Sequence, residues 1–289
     1  MADPYPDCYL SGSYLPLAEA RISPLDRGFL FADGVYEVVP VHRGRPFRLR
    51  EHLRRLDDSL NAIRLEPPMD EAAWLAVIET LVRRGRGLEQ LVYMQVTRGA
   101  ERTRNHLFPA KVAPTVFAYS SPFPEPSRET LERGLEGSVL EDTRWARCDI
   151  KSIALLANVL LRQQAADAGA GEALLVRDGL LTEGSSSTVF VCANGSLATP
   201  PKSRSILPGT TRDAALEFVD WMPQQVRPVA RAELESADEV WIASAGRGVL
   251  PVTRIDGRPV ATGQPGPQWR RAYAAWQRHL DAIASSPPL

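Results

Sequence analysis

Three prolines at alternate positions, Pro122, Pro124 and Pro126, constrain this chain more than any other feature. Each lacks an amide donor, so the run Ser120-Ser121-Pro122-Phe123-Pro124-Glu125-Pro126 favours an extended connector. A domain boundary is expected there: a small N-terminal α+β domain over 1–120, a linker at 121–127, and a larger β-rich domain over 128–289. With 289 residues the chain can bury two such cores.

Periodicity fills in both parts. Val35-Tyr36-Glu37-Val38-Val39 reads as a strand closed by the Arg43-Gly44 turn, and Leu49, Leu53, Leu56, Leu60 and Ile63 recur at helical spacing. A second helix is expected over Glu71–Arg84, then strands over Leu91–Thr97 and Val112–Tyr119. Beyond the connector, Asp178-Gly179, Asn194-Gly195 and Asp256-Gly257 each border apolar runs, the strongest short-range hairpin signal. Helices are expected at Ala154–Ala168, Thr211–Val219 and Pro267–Ile283. Regular strand–helix alternation and a Gly-x-Gly-x-x-Gly turn are missing, which argues against a doubly wound nucleotide fold.

Acidic and basic residues balance, 35 against 34, leaving a net charge of -1. That argues against nucleic-acid and membrane-surface partners. No apolar stretch approaches the roughly 20 residues of a membrane span, and the first residues lack the pattern of a secretory signal. Three cysteines, Cys8, Cys148 and Cys192, without metal-type spacing point to a reduced cytoplasmic setting and no metal.

Only three of the 34 basic residues are lysines. Lys111 and Lys202 fall in loop-like sequence, but Lys151 lies in Cys148-Asp149-Ile150-Lys151-Ser152-Ile153, beside residues that read as core. A desolvated lysine can lose its proton and act as a nucleophile or base, which arginine cannot. A snorkelling lysine at a helix start is the competing reading. Three further groups stand out. Glu183 sits in Thr182-Glu183-Gly184-Ser185-Ser186-Ser187, where it can face a ring nitrogen, though the serines suit an ordinary polar turn. Pro208-Gly209-Thr210-Thr211 opens a helical pattern, a phosphate-type site or a plain cap. Arg98, Arg102, Arg104 and His106 crowd a loop suited to a carboxylate, or simply solvated.

Together these stretches resemble a known family, the fold-type IV pyridoxal-phosphate transaminases, and within it the D-amino acid group. The resemblance runs nearly end to end. It is carried by Asp26-Arg27-Gly28-Phe29 through Val39, Arg50-Glu51-His52-Leu53-Arg54-Arg55-Leu56, Gln95-Val96-Thr97-Arg98-Gly99, Arg144-Trp145-Ala146-Arg147-Cys148-Asp149-Ile150-Lys151-Ser152, Thr182 through Ser187, and Ile206-Leu207-Pro208-Gly209-Thr210-Thr211-Arg212.

The resemblance implies the cofactor pyridoxal 5'-phosphate, with Lys151 as its Schiff-base lysine. It implies that Arg55, Gly209, Thr210 and Thr211 hold the phosphate. Leu207 is expected against the ring face, Glu183 at the ring nitrogen, and Ser185, Ser186, Ser244 and Ala245 around the cofactor. Tyr36, Val38, Arg104 and His106 match the substrate side, the last two coming from a partner subunit, so a homodimer follows. The implied reaction moves an amino group from a D-amino acid, D-alanine-like, to a 2-oxo acid such as 2-oxoglutarate. Alternatives of the same fold are a branched-chain L-amino acid transaminase, an (R)-amine transaminase or an aminodeoxychorismate lyase. A pyridoxal-phosphate carrier without turnover is the non-enzymatic alternative.

Three positions depart from the family pattern. Ala245 stands where a hydroxyl residue is usual, with an expected loss of one hydrogen bond, about 1–2 kcal/mol. Pro40 replaces a basic residue, and the loop before Arg104 is one residue longer.

Overall fold

A computed structural model describes residues 7–284 other than 86 and 124. The tail from Ser285 and Pro124 of the expected linker lie outside the described residues. The chain divides into two compact units, residues 7–123 with 150–154, and residues 125–149 with 155–284.

In the first unit β1 (Cys8–Leu10), β2 (Ser13–Leu15), β3 (Gly34–His42), β4 (Arg45–Pro46), β5 (Gln90–Thr97) and β6 (Thr115–Pro122) make one antiparallel sheet, ordered β2-β1-β6-β5-β3-β4. Helices α1 (Arg27–Phe31), α2 (Leu49–Ala62) and α3 (Glu71–Arg84) accompany it. Strand alternation turns Val35, Val39, Val92, Met94 and Val96 to one face, where Leu53, Leu56 and Leu60 of α2 and Trp74 and Ile78 of α3 complete the core. Asp70 caps α3 by accepting from the Ala73 amide at 2.8 Å. The opposite face carries Tyr36, Val38, Tyr93, Gln95, Phe117 and Tyr119, all half-buried.

The segment 150–154 is bound into this unit by its backbone. Tyr36 donates its amide to the Lys151 carbonyl at 2.9 Å, and Ile153 donates to Gly34 at 3.1 Å. Gly34 permits this close packing, since a Cβ there would stand 3.0 Å from Ile153 Cδ1 and 2.7 Å from the Val96 carbonyl oxygen of β5.

The second unit is built on a nine-stranded sheet. Its strands are β7 (Leu135–Glu141), β8 (Glu172–Arg177), β9 (Leu180–Gly184), β10 (Thr188–Ala193), β11 (Ser196–Thr199), β12 (Gln224–Val226), β13 (Glu239–Ser244), β14 (Gly248–Ile255) and β15 (Arg258–Pro259). The order is β12-β11-β10-β13-β14-β7-β8-β9, with β15 paired to β14. Helices α4 (Arg128–Arg133), α5 (Leu156–Asp167), α6 (Thr210–Phe218), α7 (Arg231–Glu235) and α8 (Pro267–Ala284) complete it.

All three Asx-Gly hairpins form, with positive φ at both central residues: 53° and 75° at Asp178-Gly179, 50° and 73° at Asn194-Gly195, 48° and 76° at Asp256-Gly257. Some boundaries shift, and β6 runs past the expected Tyr119 to Pro122, taking residues 121 and 122 of the expected linker into the sheet. The helix expected from Ala154 starts at Leu156, because residues 150–154 spend their backbone bonds on β3. The strand expected from Val112 starts at Thr115, just after Pro114, which has no amide for the ladder with β5. Among the described residues no helix is long and apolar enough to cross a membrane.

Candidate active site

In the first unit the candidate residues gather on β3 and α2. The Lys151 Nζ lies 4.1 Å from the centre of the Tyr36 ring. Lys151 is half-buried rather than enclosed, whereas Lys111 and Lys202 are exposed. Its amide donates to Ser59 Oγ at 3.2 Å, so one turn of α2 fixes where the lysine leaves the backbone. Tyr36 and Val38 share a sheet face, and Tyr36 stacks on Tyr93 at 5.7 Å.

Arg55 lies on α2 with His52 and Ser59, one polar line beside the apolar line that faces the core. Its guanidinium grips the fully buried Glu37, Nε to Oε1 at 2.7 Å and Nη2 to Oε2 at 2.9 Å. His52 Nδ1 meets Glu37 Oε2 at 2.8 Å. Burial alone would raise the Glu37 carboxyl, but Arg55 and His52 outweigh it and hold it well below the usual carboxylate range. Burial lowers His52 against the pull of Glu37, so a neutral imidazole donates its Nδ1–H to the carboxylate.

Arg104 and His106 sit apart from this group, on an exposed loop. Arg104 lies 4.8 Å from the Phe31 ring centre and His106 5.1 Å from it. The loop is tied down by the buried Arg27, which donates to the carbonyls of Asn105 at 2.6 Å and Leu107 at 3.3 Å. Arg27 Nε in turn donates to Asp33 at 2.8 Å, and Arg98 chelates the same carboxylate at 2.8 and 3.1 Å. These opposing guanidinium groups outweigh burial and hold Asp33 below its ordinary value.

In the second unit Glu183 is buried at the end of β9. It pairs with Arg144, and its second oxygen accepts the Leu207 amide at 3.1 Å. Burial pushes its carboxyl up to about 7, with Arg144 opposing the rise. Leu207 thus reaches Glu183 through its backbone. The Ser185 hydroxyl is turned onto Glu172, which also accepts from Ser187 at 3.0 Å, while Ser186 is exposed. Ser244 ends β13 and Ala245 opens the turn to β14, which the Arg247 amide closes on the Ser244 carbonyl at 3.2 Å.

Gly209 caps α6 and is followed by Thr210 and Thr211, both buried. A Cβ at Gly209 would stand 2.9 Å from Thr188 Oγ1, so glycine lets the chain approach β10 closely. Helix geometry turns the first amides of α6 outward at its positive end. Thr211 Oγ1 is buried without a hydrogen-bond partner. An orphaned hydroxyl beside a helix N-terminus fits an anionic phosphate, which accepts from both. A carboxylate at Glu183 fits a protonated ring nitrogen. The residues present therefore suit a phosphorylated pyridine aldehyde.

The model of the amino-transferase class IV family matches residues 34–255. The chain belongs to this family. This class IV aminotransferase is 38% identical over 272 residues to the D-alanine aminotransferase of Bacillus licheniformis, covering 93% of this chain and 95% of that one. A branched-chain amino acid aminotransferase from T.th., solved with pyridoxamine 5'-phosphate, superposes with a TM-score of 0.86 at 26% identity, covering 98% of this chain and 96% of that chain. The Escherichia coli branched-chain enzyme gives a TM-score of 0.90 at 23% identity over 95% of this chain and 94% of that chain, a likeness of fold. The α+β, fold-type IV architecture expected from sequence is the one observed.

The residues that hold the candidates in place in this aminotransferase did not stand out in its sequence. His52 and Ser59 had a usable signal, since they recur with Arg55 at helical spacing on one side of α2. Asp33, Asp142 and Glu172 had none. Asp33 and Glu172 look like surface carboxylates until the fold brings Arg98 and Arg247 to them, and Asp142, though only two residues from its partner Arg144, is buried by the fold.

Proposed function

We propose that this aminotransferase uses pyridoxal 5'-phosphate, linked through Lys151, to move amino groups from D-amino acids such as D-alanine to 2-oxo acids such as 2-oxoglutarate. The observation that carries the reading is the Lys151 amine over the Tyr36 ring, on the half-buried face of the sheet. The D-alanine aminotransferase relative supports the handedness. We place the enzyme in the cytoplasm as a homodimer. Leu107, next to His106, and Phe29, on the helix whose Phe31 meets Arg104 and His106, are 74% and 77% exposed and support a second copy against that loop.

The bound cofactor supplies a ring that takes up the electron pair left at the donor's α-carbon. Everything else falls to the chain. The Lys151 amine would take the proton from the donor's α-carbon as a positioned base and then give it up as an acid at the carbon on the far side of the transferred nitrogen, two bonds away. Glu183, as carboxylate, keeps the ring nitrogen protonated. The α6 amides and Thr211 hold the phosphate, with Arg55 supplying positive charge. Leu207, whose amide is bonded to Glu183, would lie against the ring, and Ser185, Ser186, Ser244 and Ala245 would border it. Tyr36, Val38 and, from the second copy, Arg104 and His106 orient the α-carboxylate.

Assays with D-alanine, L-leucine and (R)-1-phenylethylamine against 2-oxoglutarate test the reading. D-alanine is expected to react fastest, giving pyruvate and glutamate. Reaction with L-leucine alone would transfer the chain to the branched-chain group.

The phosphate assignment has its own test. Thr211→Val keeps the side-chain shape and removes the orphaned hydroxyl. Pyridoxal phosphate affinity is expected to fall roughly ten-fold, about 1.4 kcal/mol, with apoprotein stability unchanged. Equal affinity in an absorbance titration would remove Thr211 from the site.

A further inference from the structure

A chain of alternating charge runs behind Glu183. Asp142, fully buried, chelates Arg144 through Oδ1 to Nε and Oδ2 to Nη2, both at 2.9 Å. Arg144, with its side chain 5% exposed, then meets Glu183 through Nη1. Its remaining reach is occupied by the Ser205 carbonyl at 3.2 Å. Asp142 is itself braced by the Thr182 hydroxyl at 2.9 Å and by Arg177 at 3.2 Å. Arg144 therefore has little freedom to swing away from Glu183 or to follow it outward.

The geometry points to Arg144 as a positioning residue that keeps the Glu183 carboxylate charged and aimed, with Asp142 as the clamp that fixes Arg144. This rests on the reading that Glu183 faces the cofactor's ring nitrogen. The physical need is plain. A carboxylate taken out of water gives up its charge unless an opposite charge stays in contact. A neutral Glu183 cannot hold a proton on a ring nitrogen. Burial already lifts Glu183 toward neutrality, and Arg144 is the first group opposing it. An arginine suits the task better than a lysine, because its planar fork serves both carboxylates at once. Nothing in this arrangement touches the substrate, so its effect has to appear in protonation rather than in substrate affinity.

The test uses holoenzymes of Arg144→Met, Arg144→Lys and Glu183→Gln beside the wild type. Two quantities are read across pH 5 to 9: the absorbance of the bound cofactor without substrate, and the single-turnover rate with saturating D-alanine. Removing the opposite charge raises the pH at which Glu183 ionises. In Arg144→Met the acid limb of both profiles is expected to move up by about one to three pH units. Arg144→Lys, which keeps the charge and stands in should the methionine variant fail to fold, is expected to move it in the same direction but less. Half-saturation by D-alanine should change little in either. Profiles that superimpose on the wild type in the variants that fold would overturn the inference. The Glu183→Gln arm separates the two claims. If it loses rate while the arginine variants keep the wild-type limb, only the role of Arg144 fails. If Glu183→Gln itself matches the wild type in rate and absorbance, the reading of Glu183 fails, and the role of Arg144 with it.

Discussion

Lys151→Arg is expected to lower pyruvate formation from D-alanine by at least about 10³-fold. The substitution keeps the positive charge near the Tyr36 ring and removes the amine to which the proposed mechanism assigns the cofactor link and the proton transfer. The bonds that seat residues 150–154 are backbone bonds, to Tyr36, Gly34 and the Ser59 hydroxyl. The fold should therefore survive, with far-UV circular dichroism unchanged and a melting temperature within a few degrees of wild type. Activity within ten-fold of wild type would show that charge, and not the amine, is what the site requires.

The second large effect is on stability. Glu37→Gln removes the carboxylate that neutralises Arg55, a side chain 8% exposed, and leaves the guanidinium facing an amide. Breaking one side of a buried pair costs about 3–5 kcal/mol, which lowers the melting temperature by on the order of 10 °C. The pH dependence has a definite sign. A carboxyl held below its unfolded value of about 4.5 contributes its stability above that pH, and the contribution drains away as the medium becomes more acid. The gap between variant and wild type in urea unfolding should thus be full at pH 7 and narrow below about 4.5. A gap that stays constant down to pH 3 would mean the pair contributes by shape alone.

Local chemistry explains why so much of this protein was legible in its sequence. Asx-Gly turns need only neighbouring residues, so all three hairpins were readable. The apolar line of α2 declares itself at helical spacing, and α3 carries its Asp70 cap in plain view. The short strands β1 and β2, three residues each, offer too few alternations to register, and β7 hides its apolar positions among Glu136, Gly137 and Ser138. The candidate site divides along the same line. Lys151, Glu183 and the Gly209–Thr211 turn announce themselves by residue type and setting. Their supports do not, because ion pairing is settled by the fold. Asp33 meets Arg98 across 65 positions and Glu183 meets Arg144 across 39. Lys151 also shows a limit of reasoning from neighbours. Ile150 enters the core, but the lysine beside it points to a half-exposed sheet face.

Reduction with borohydride in the presence of pyridoxal phosphate, followed by peptide mapping, tests the whole reading most directly. The cofactor mass should be found on the peptide containing Lys151 and on no other. A tag on Lys111 or Lys202, or a protein that takes up no cofactor at all, would contradict it.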